Sequence, residues 1–405
     1  MTKNTFDVII VGGGAAGLTC GVLLARGGRK VAILEAREQV GRKILVSGNG
    51  RCNATNENVK LADYYGDKDL VAEVLKKFNA KDAVEFLMRI GVVLKKESDG
   101  RYFAATGKAT AVANALEYAV TEAGGQIFTG VKVDSITKQD IFTVKAGDKT
   151  YHAAKVVLAC GSPAFPQASG TDAGYALAKS LGHTITTVSP ALTPIALKQN
   201  PFAKMHGVRQ DCHLTLRFNG RIYKEEGEVM FTAKGLSGIP ALNLSRLING
   251  DISNNHEITV NLFPGAKPGD FKSMMYKRQK YHPQRKIKDF FIGLLHENVA
   301  EVLLDYLGIN KNIITGRIKD ENFANIIETM QAWPAICAPT VSWADAYAAA
   351  GGVPGTEVDC ATLQSAKVPG LYILGEMLDA DAKSGGMNLH FAFGCGHLCA
   401  RSILL

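Results

Sequence analysis

Residues 6–35 read FDVIIVGGGAAGLTCGVLLARGGRKVAILE, and the fold is decided in this stretch. Phe6 to Val11 is a short apolar run rich in β-branched residues, the pattern of a strand buried in a parallel sheet. Gly12-x-Gly14-x-x-Gly17 follows at once, and helical apolar spacing then takes over through Leu18, Val22 and Leu23. A second apolar run, Lys30 to Leu34, ends on Glu35. Strand, glycine turn, helix, strand and terminal acid, in that order, describe a dinucleotide-binding unit. Gly12 permits the tight turn, Gly14 lets a pyrophosphate approach the backbone, and Gly17 lets helix and strand pack closely. Ala15 and Ala16 open the helix, whose unpaired N–H groups and partial positive charge suit that pyrophosphate. Glu35 is placed to accept the hydroxyl protons of an adenosine ribose, and its charge would repel a 2′-phosphate, which argues against NADP here.

Working outward, residues 41–56 read GRKILVSGNGRCNATN. From Gly48 to Asn56 this is a polar, glycine-punctuated loop with almost no apolar content, so it cannot fold by burying itself. A large polar ligand would hold it. Gly41-Arg42-Lys43 and Ser47-Gly48-x-Gly50-Arg51-Cys52-Asn53-x-Thr55-Asn56 resemble the BaiN/RdsA-type NAD(P)/FAD-dependent oxidoreductases. The resemblance continues in Gly227-Glu228, Phe231-Thr232 and Gly235-Leu236-Ser237-Gly238, and covers nearly the whole chain. It implies FAD as cofactor, held in part by Arg42, Lys43, Ser47, Gly48, Asn49, Arg51, Cys52 and Asn53. It also implies an α/β fold of the two-dinucleotide-binding flavoprotein type, with a parallel central sheet and an inserted β-barrel and helical domain. Departures from the family pattern fall at Ala233, Ala382, Met387 and His390, positions that bear on the substrate rather than on the cofactor.

A chain of 405 residues with 46% hydrophobic and 21% charged content suits a soluble globular protein of two or three domains. The first apolar run is broken by glycines and ends in an acid, so it reads as neither a signal peptide nor a membrane span. The eight cysteines form no CxxC pair, which points to reduced thiols, a cytoplasmic setting and no metal centre. Cys395 and Cys399, one helical turn apart, read as two small buried residues. The net charge of +8 favours anionic ligands without naming one. The densest basic run, Lys272 to Lys288, carries no nucleic-acid motif and is read as a solvated helix face in preference to an RNA or DNA contact.

Taken in order, residues 69–91 carry helical spacing, 92–104 form a hairpin about Asp99-Gly100, and 109–123 form a helix. Residues 127–136 and 142–145 read as strands. By the resemblance, the backbone around Val131 to Val133 meets the adenine. Lys155 to Cys160 is a buried strand, and Gly161 turns the chain beside the cofactor with Cys160 as a packed thiol. The domain plan is 1–188 for the first part of the FAD-binding domain, 189–342 for the insert and 343–405 for the return.

In that return, Leu371 to Leu374 is a buried strand that stops at Gly375-Glu376, where α/β sheets bind ligands. Glu376 is placed to accept a ribityl hydroxyl proton. Gly386, Asn388 and Leu389 begin the last helix, whose dipole would point at the flavin's pyrimidine end. His390, one turn in, is the candidate catalytic acid or base. The function expected is two-electron transfer between flavin and a small organic substrate, in a cleft between the flavin domain and the insert. NAD(P)H or O2 would be the second redox partner; no second GxGxxG follows a strand, so no separate nicotinamide domain is visible. The alternatives are a flavin-dependent redox sensor and an RNA-associated flavoprotein.

Overall fold

The apolar run Thr5–Val11 is the strand about which the first unit is built. In the computed structural model, which describes residues 4–251, 255–338 and 342–405, it pairs in parallel with Val31–Leu34 on one side and Lys149–Leu158 on the other. Gln126–Phe128 extends the sheet beyond Val31–Leu34. The long strand Lys149–Leu158 has two different neighbours on its far side. Its first half pairs antiparallel with Phe142–Ala146, and its last three residues pair in parallel with Leu371–Ile373. Register aligns the strand ends: Val11 sits opposite both Leu34 and Leu158, and Leu158 opposite Ile373. Gly12, Glu35, Ala159 and Leu374 therefore leave the sheet along one edge.

Two helices cover the strand ends. Ala15–Arg26 follows the glycine turn, and the C-terminal helix Met387–Leu404 packs against it. Gly12 adopts φ +108°, and a Cβ there would lie 2.4 Å from the Ala159 carbonyl oxygen. Gly396 permits the crossing of the two helices, because a Cβ would meet the Ala16 oxygen at 2.5 Å. Cys395 and Cys399 are buried in the core of this unit, as their spacing suggests.

Local signals explain most remaining elements. The helical stretch after residue 68 is two helices, Lys68–Lys77 and Ala80–Arg89. Asn79 divides them with a reciprocal capping box: its side chain accepts from the Asp82 N–H, and Asp82 accepts from the Asn79 N–H. Asp99-Gly100 joins the hairpin strands Leu94–Lys96 and Arg101–Ala104. The strand expected over 127–136 is corrected: it breaks after Phe128 and resumes only at Ser135–Lys138.

Contacts divide the chain into two compact units, residues 1–191 with 342–405 and residues 192–341. The second unit holds a closed antiparallel barrel in the order Ile195–Lys198, Gly235–Ser237, Arg221–Thr232, Arg209–Phe218, His256–Asn261 and Trp333–Ala338. Asn219 and Gly220, at φ 48° and 72°, make the tight turn between its two long strands. Helices Pro268–Tyr281, Glu297–Tyr306 and Asp320–Gln331 share one apolar core with the barrel, including Phe271, Phe323 and Trp333. Among the described residues, no helix is long and apolar enough to cross a membrane.

Candidate cofactor and active site

The sheet edge gathers the first group of expected site residues. Gly14 is the N-cap of Ala15–Arg26, so the first-turn N–H groups of Ala15, Ala16 and Gly17 have no intrahelical partner. Glu35 takes the Gly13 N–H on Oε2 at 2.7 Å and the Arg37 N–H on Oε1 at 2.9 Å. These bonds fix its carboxylate beside the glycine turn and leave lone pairs for further donors. Cys160 closes the floor: its thiol donates to the Val11 carbonyl at 3.4 Å, and burial pushes it up to about 12. It is a packed thiol rather than a redox group. A Cβ at Gly14 or Gly161 would meet no atom within 4 Å, so both backbones border open space.

Gly375 lies against this helix start, since a Cβ there would be 3.1 Å from Ala16 Cβ. It leads to Glu376, whose Oε2 accepts from Lys43 Nζ at 2.5 Å. The Tyr175 hydroxyl donates to the Glu376 carbonyl at 3.3 Å. Arg42 points elsewhere, donating to the Gln167 carbonyl at 3.0 Å. Val133 is buried, while the neighbouring Val131 N–H donates to the Glu35 carbonyl at 2.9 Å.

The Ser47–Asn56 segment carries the second group. Gly48, Asn49, Gly50 and Cys52 all adopt left-handed backbone, at φ 55°, 55°, 79° and 59°. Ser47 donates to the Ile44 carbonyl at 2.7 Å. Burial pushes the Cys52 thiol up to about 12 against a hydrogen bond with Ser47, so it is protonated and inert. Arg51 is exposed, paired with Glu97 at 2.5 Å and seated 4.0 Å above the Phe103 ring. Asn53 is buried, and its Oδ1 has no hydrogen-bond partner among the described residues. That orphaned acceptor abuts the N-cap of the last helix, 2.8 Å from where a Gly386 Cβ would stand. The first-turn N–H groups of Met387, Asn388 and Leu389 lie at the same helix start, again with no intrahelical partner.

One expectation is corrected here, that for His390, and that for Asn388 is narrowed to its backbone. The Asn388 side chain is consumed by the Ala382 backbone, accepting its N–H and donating to its carbonyl, both at 3.0 Å. Only its own backbone N–H remains for a ligand. His390 is fully buried, and both ring nitrogens are engaged: Nδ1 with Thr55 Oγ1 at 2.8 Å and Nε2 with the Phe78 carbonyl at 3.0 Å. Burial pushes it down to about 4. It is a neutral structural histidine, not the acid or base its place on the helix suggests. Thr55 and Tyr64, whose hydroxyl donates to the Met387 carbonyl at 2.8 Å, are the partners that sequence reasoning passed over. Thr55 stood inside the quoted motif; Tyr64 had no local signal.

FAD meets a matching set of groups. Its pyrophosphate suits the N–H groups after Gly14, its ribose hydroxyls suit Glu35, and its isoalloxazine N–H suits the Asn53 acceptor beside the donors of the last helix. In the second unit, the basic run is mostly exposed, but Arg278 is turned inward, donating to the carbonyls of Phe290 and Ile292 at 3.0 and 2.5 Å.

The family described as HI0933-like protein Rossmann domain matches residues 6–402. A 3-dehydro-bile acid delta(4,6)-reductase of Clostridium scindens is 32% identical over 400 residues, 97% of this chain and 98% of the relative. A ribosomal RNA dihydrouridine synthase of Escherichia coli is 27% identical over 405 residues, 98% of each chain. The solved 3-ketosteroid delta1-dehydrogenase of Sterolibacterium denitrificans matches with a TM-score of 0.53 and 13% identity, over 99% of this chain and all of that one. At that identity the likeness concerns the fold alone.

Proposed function

Because this chain belongs to the HI0933-like family and is an FAD-dependent oxidoreductase, we propose that it reduces a carbon–carbon double bond conjugated to a carbonyl. Two relatives support the substrate class. A delta(4,6)-reductase of a 3-dehydro-bile acid and a dihydrouridine synthase are both named for adding hydrogen to such a bond, one in a steroid and one in a pyrimidine ring. FAD supplies a two-electron, hydride-equivalent transfer when bound, and the product gains one further proton.

The chain's own residues hold and orient. In this reading Gly14, Ala15, Ala16 and Gly17 bind the pyrophosphate through backbone N–H groups, and Glu35 binds the adenosine ribose. Lys43 and Glu376 flank the ribityl chain as a pair. Asn53 and the first turn of Met387–Leu404 take the pyrimidine end. The observation that carries the placement is the buried, unpartnered Asn53 Oδ1 set against Gly386. Positive dipole and N–H donors there favour the reduced, more negative state of a bound ring. NAD(P)H is the proposed source of electrons.

The test is anaerobic. The FAD-loaded protein is bleached with NADH, NADPH or a chemical reductant, and a conjugated enone is then added. Return of the yellow absorbance with one saturated product per flavin supports the reading. A protein whose reduced flavin ignores enones but is reoxidised by uridine-containing ribosomal RNA moves the substrate from small molecule to nucleic acid. Failure of both sinks conjugated-alkene reduction.

A further inference from the structure

The last helix begins in direct contact with the strand Asn53–Asn56. Gly386 holds φ +98°, and a Cβ there would lie 2.8 Å from Asn53 Oδ1 and 2.9 Å from the Thr55 carbonyl carbon and oxygen. Asn56 Nδ2 donates to the Gly385 carbonyl at 3.1 Å. The His390 N–H donates to the Gly386 carbonyl at 3.0 Å, which closes the first helical turn. The ring of the same residue then reaches back to the strand.

The protonation pattern of that ring follows from its partners. The Phe78 carbonyl only accepts, so Nε2 carries the hydrogen, and Nδ1 accepts from the Thr55 hydroxyl. The ring also lies 5.4 Å from the Phe78 ring, centroid to centroid. Thr55, Phe78 and His390 are each at most 1% exposed, so no water competes for these bonds. Thr55 and Asn53 stand two residues apart on one strand with a bulge between them, and the Asn53 Oδ1 and the Thr55 carbonyl both lie against Gly386. Holding Thr55 to the helix therefore holds Asn53 as well.

We propose that His390 is a positioning residue: by bridging Thr55 to Phe78 it fixes the Asn53 acceptor relative to the first-turn N–H donors, and so sets the redox potential of the bound flavin. It touches no reacting atom. The inference rests on the placement of the flavin's pyrimidine end at Asn53 and Gly386 given above. Donors held in place stabilise charge that develops on reduction, whereas donors that drift stabilise it less. A loosened bridge weakens binding of reduced flavin more than of oxidised flavin. A purely structural loss would weaken both alike.

The experiment compares His390→Leu, Thr55→Val and His390→Gln with the parent protein, all FAD-loaded, by midpoint potential and by affinity for each redox form. Leu and Val remove the bridge. Each is expected to lower the preference for reduced over oxidised flavin about tenfold, equal to a potential about 30 mV lower for a two-electron couple. Glutamine keeps one acceptor and one donor at similar reach, and is expected to restore the parent value. Thr55→Val is nearly isosteric and carries the test if His390→Leu fails to fold. Unchanged potentials in the bridge-less variants overturn the proposal. Asn53→Ala is the separate control on placement: a flavin spectrum and affinity identical to the parent would overturn the placement, and this proposal with it.

Discussion

Lys43 and Glu376 meet at 2.5 Å across 333 residues of sequence, one from the short helix Arg42–Val46 and the other from the turn after Leu371–Ile373. The pair joins the two ends of the chain at the sheet edge. Both side chains are partly exposed, at 27% and 17%, so the pair contributes at most about 1 kcal/mol to folding. Its larger effect is expected on the ligand. Glu376→Gln keeps the shape but leaves Lys43 without its counter-charge and ribityl hydroxyls with a weaker acceptor. FAD affinity is expected to fall about tenfold, near the value of one charged hydrogen bond, while the melting temperature of the apoprotein changes little. Fluorescence titration of FAD and a thermal melt, run together, check both halves.

Glu35 gives a sharper outcome, because its carboxylate has two tasks. It anchors the Gly13 and Arg37 N–H groups and, in the proposed reading, binds the adenosine ribose. Glu35→Lys removes both acceptors and places a cation beside a helix start that already attracts anions. FAD binding is expected to weaken by about two orders of magnitude, the loss of two charged hydrogen bonds. Unchanged affinity in equilibrium titration would remove Glu35 from the site.

The stretch quoted at the outset was legible because each signal was local. β-branched runs, a glycine turn and a terminal acid are read over thirty residues, and the strand Thr5–Val11 and helix Ala15–Arg26 follow from them. The hairpins at Asp99-Gly100 and Asn219-Gly220 were legible for the same reason. His390 was misread because its role depends on Thr55 and Phe78, which lie 335 and 312 residues away. Helical spacing placed it near the flavin but said nothing of what would fill its hydrogen bonds. The side-chain clamp of Asn388 on Ala382 was equally hidden, because it is set by a turn whose shape no pattern announces. The break after Phe128 went unseen because an alternating apolar pattern continues through Val131 and Val133.

The thiols yield a chemical prediction. Burial pushes Cys52, Cys160, Cys212, Cys337 and Cys395 up to about 12, so essentially none is thiolate near neutrality. Cys360 is only partly buried and lies in a loop of the first unit. Native protein treated with iodoacetamide at pH 7.5 is expected to label at Cys360 first and slowly. Mass mapping that finds Cys52 or Cys395 labelled at a comparable rate would mean those buried sites open far more often than their packing allows.

Acid should destabilise the first unit, and the sign follows from its histidines. Burial pushes His390 down to about 4 and also lowers His183, which lies 2.8 Å from both Glu357 Oε2 and Ser365 Oγ. Above the ordinary histidine value near 6.5, folded and unfolded chains are both neutral at these positions, and neither group makes stability depend on pH. Below it the unfolded chain takes up protons that the folded chain refuses, so stability falls with pH until about 4 is passed. His390 alone accounts for about 3 kcal/mol over that window. Burial by itself would raise Glu357, but hydrogen bonds from Lys367, Thr184 and His183 outweigh it and hold the carboxyl near 2. Its depressed value adds a second loss as pH falls from the ordinary carboxyl range toward 2. Urea denaturation at pH 7.5, 6, 5 and 4.5 is therefore expected to show little change in midpoint above 6.5 and a steepening decline below it. His390→Gln removes the larger titrating group and is expected to flatten the decline between pH 6 and 4.5. A parent protein equally stable at pH 7.5 and 4.5 would mean that His390 is not held neutral by its surroundings.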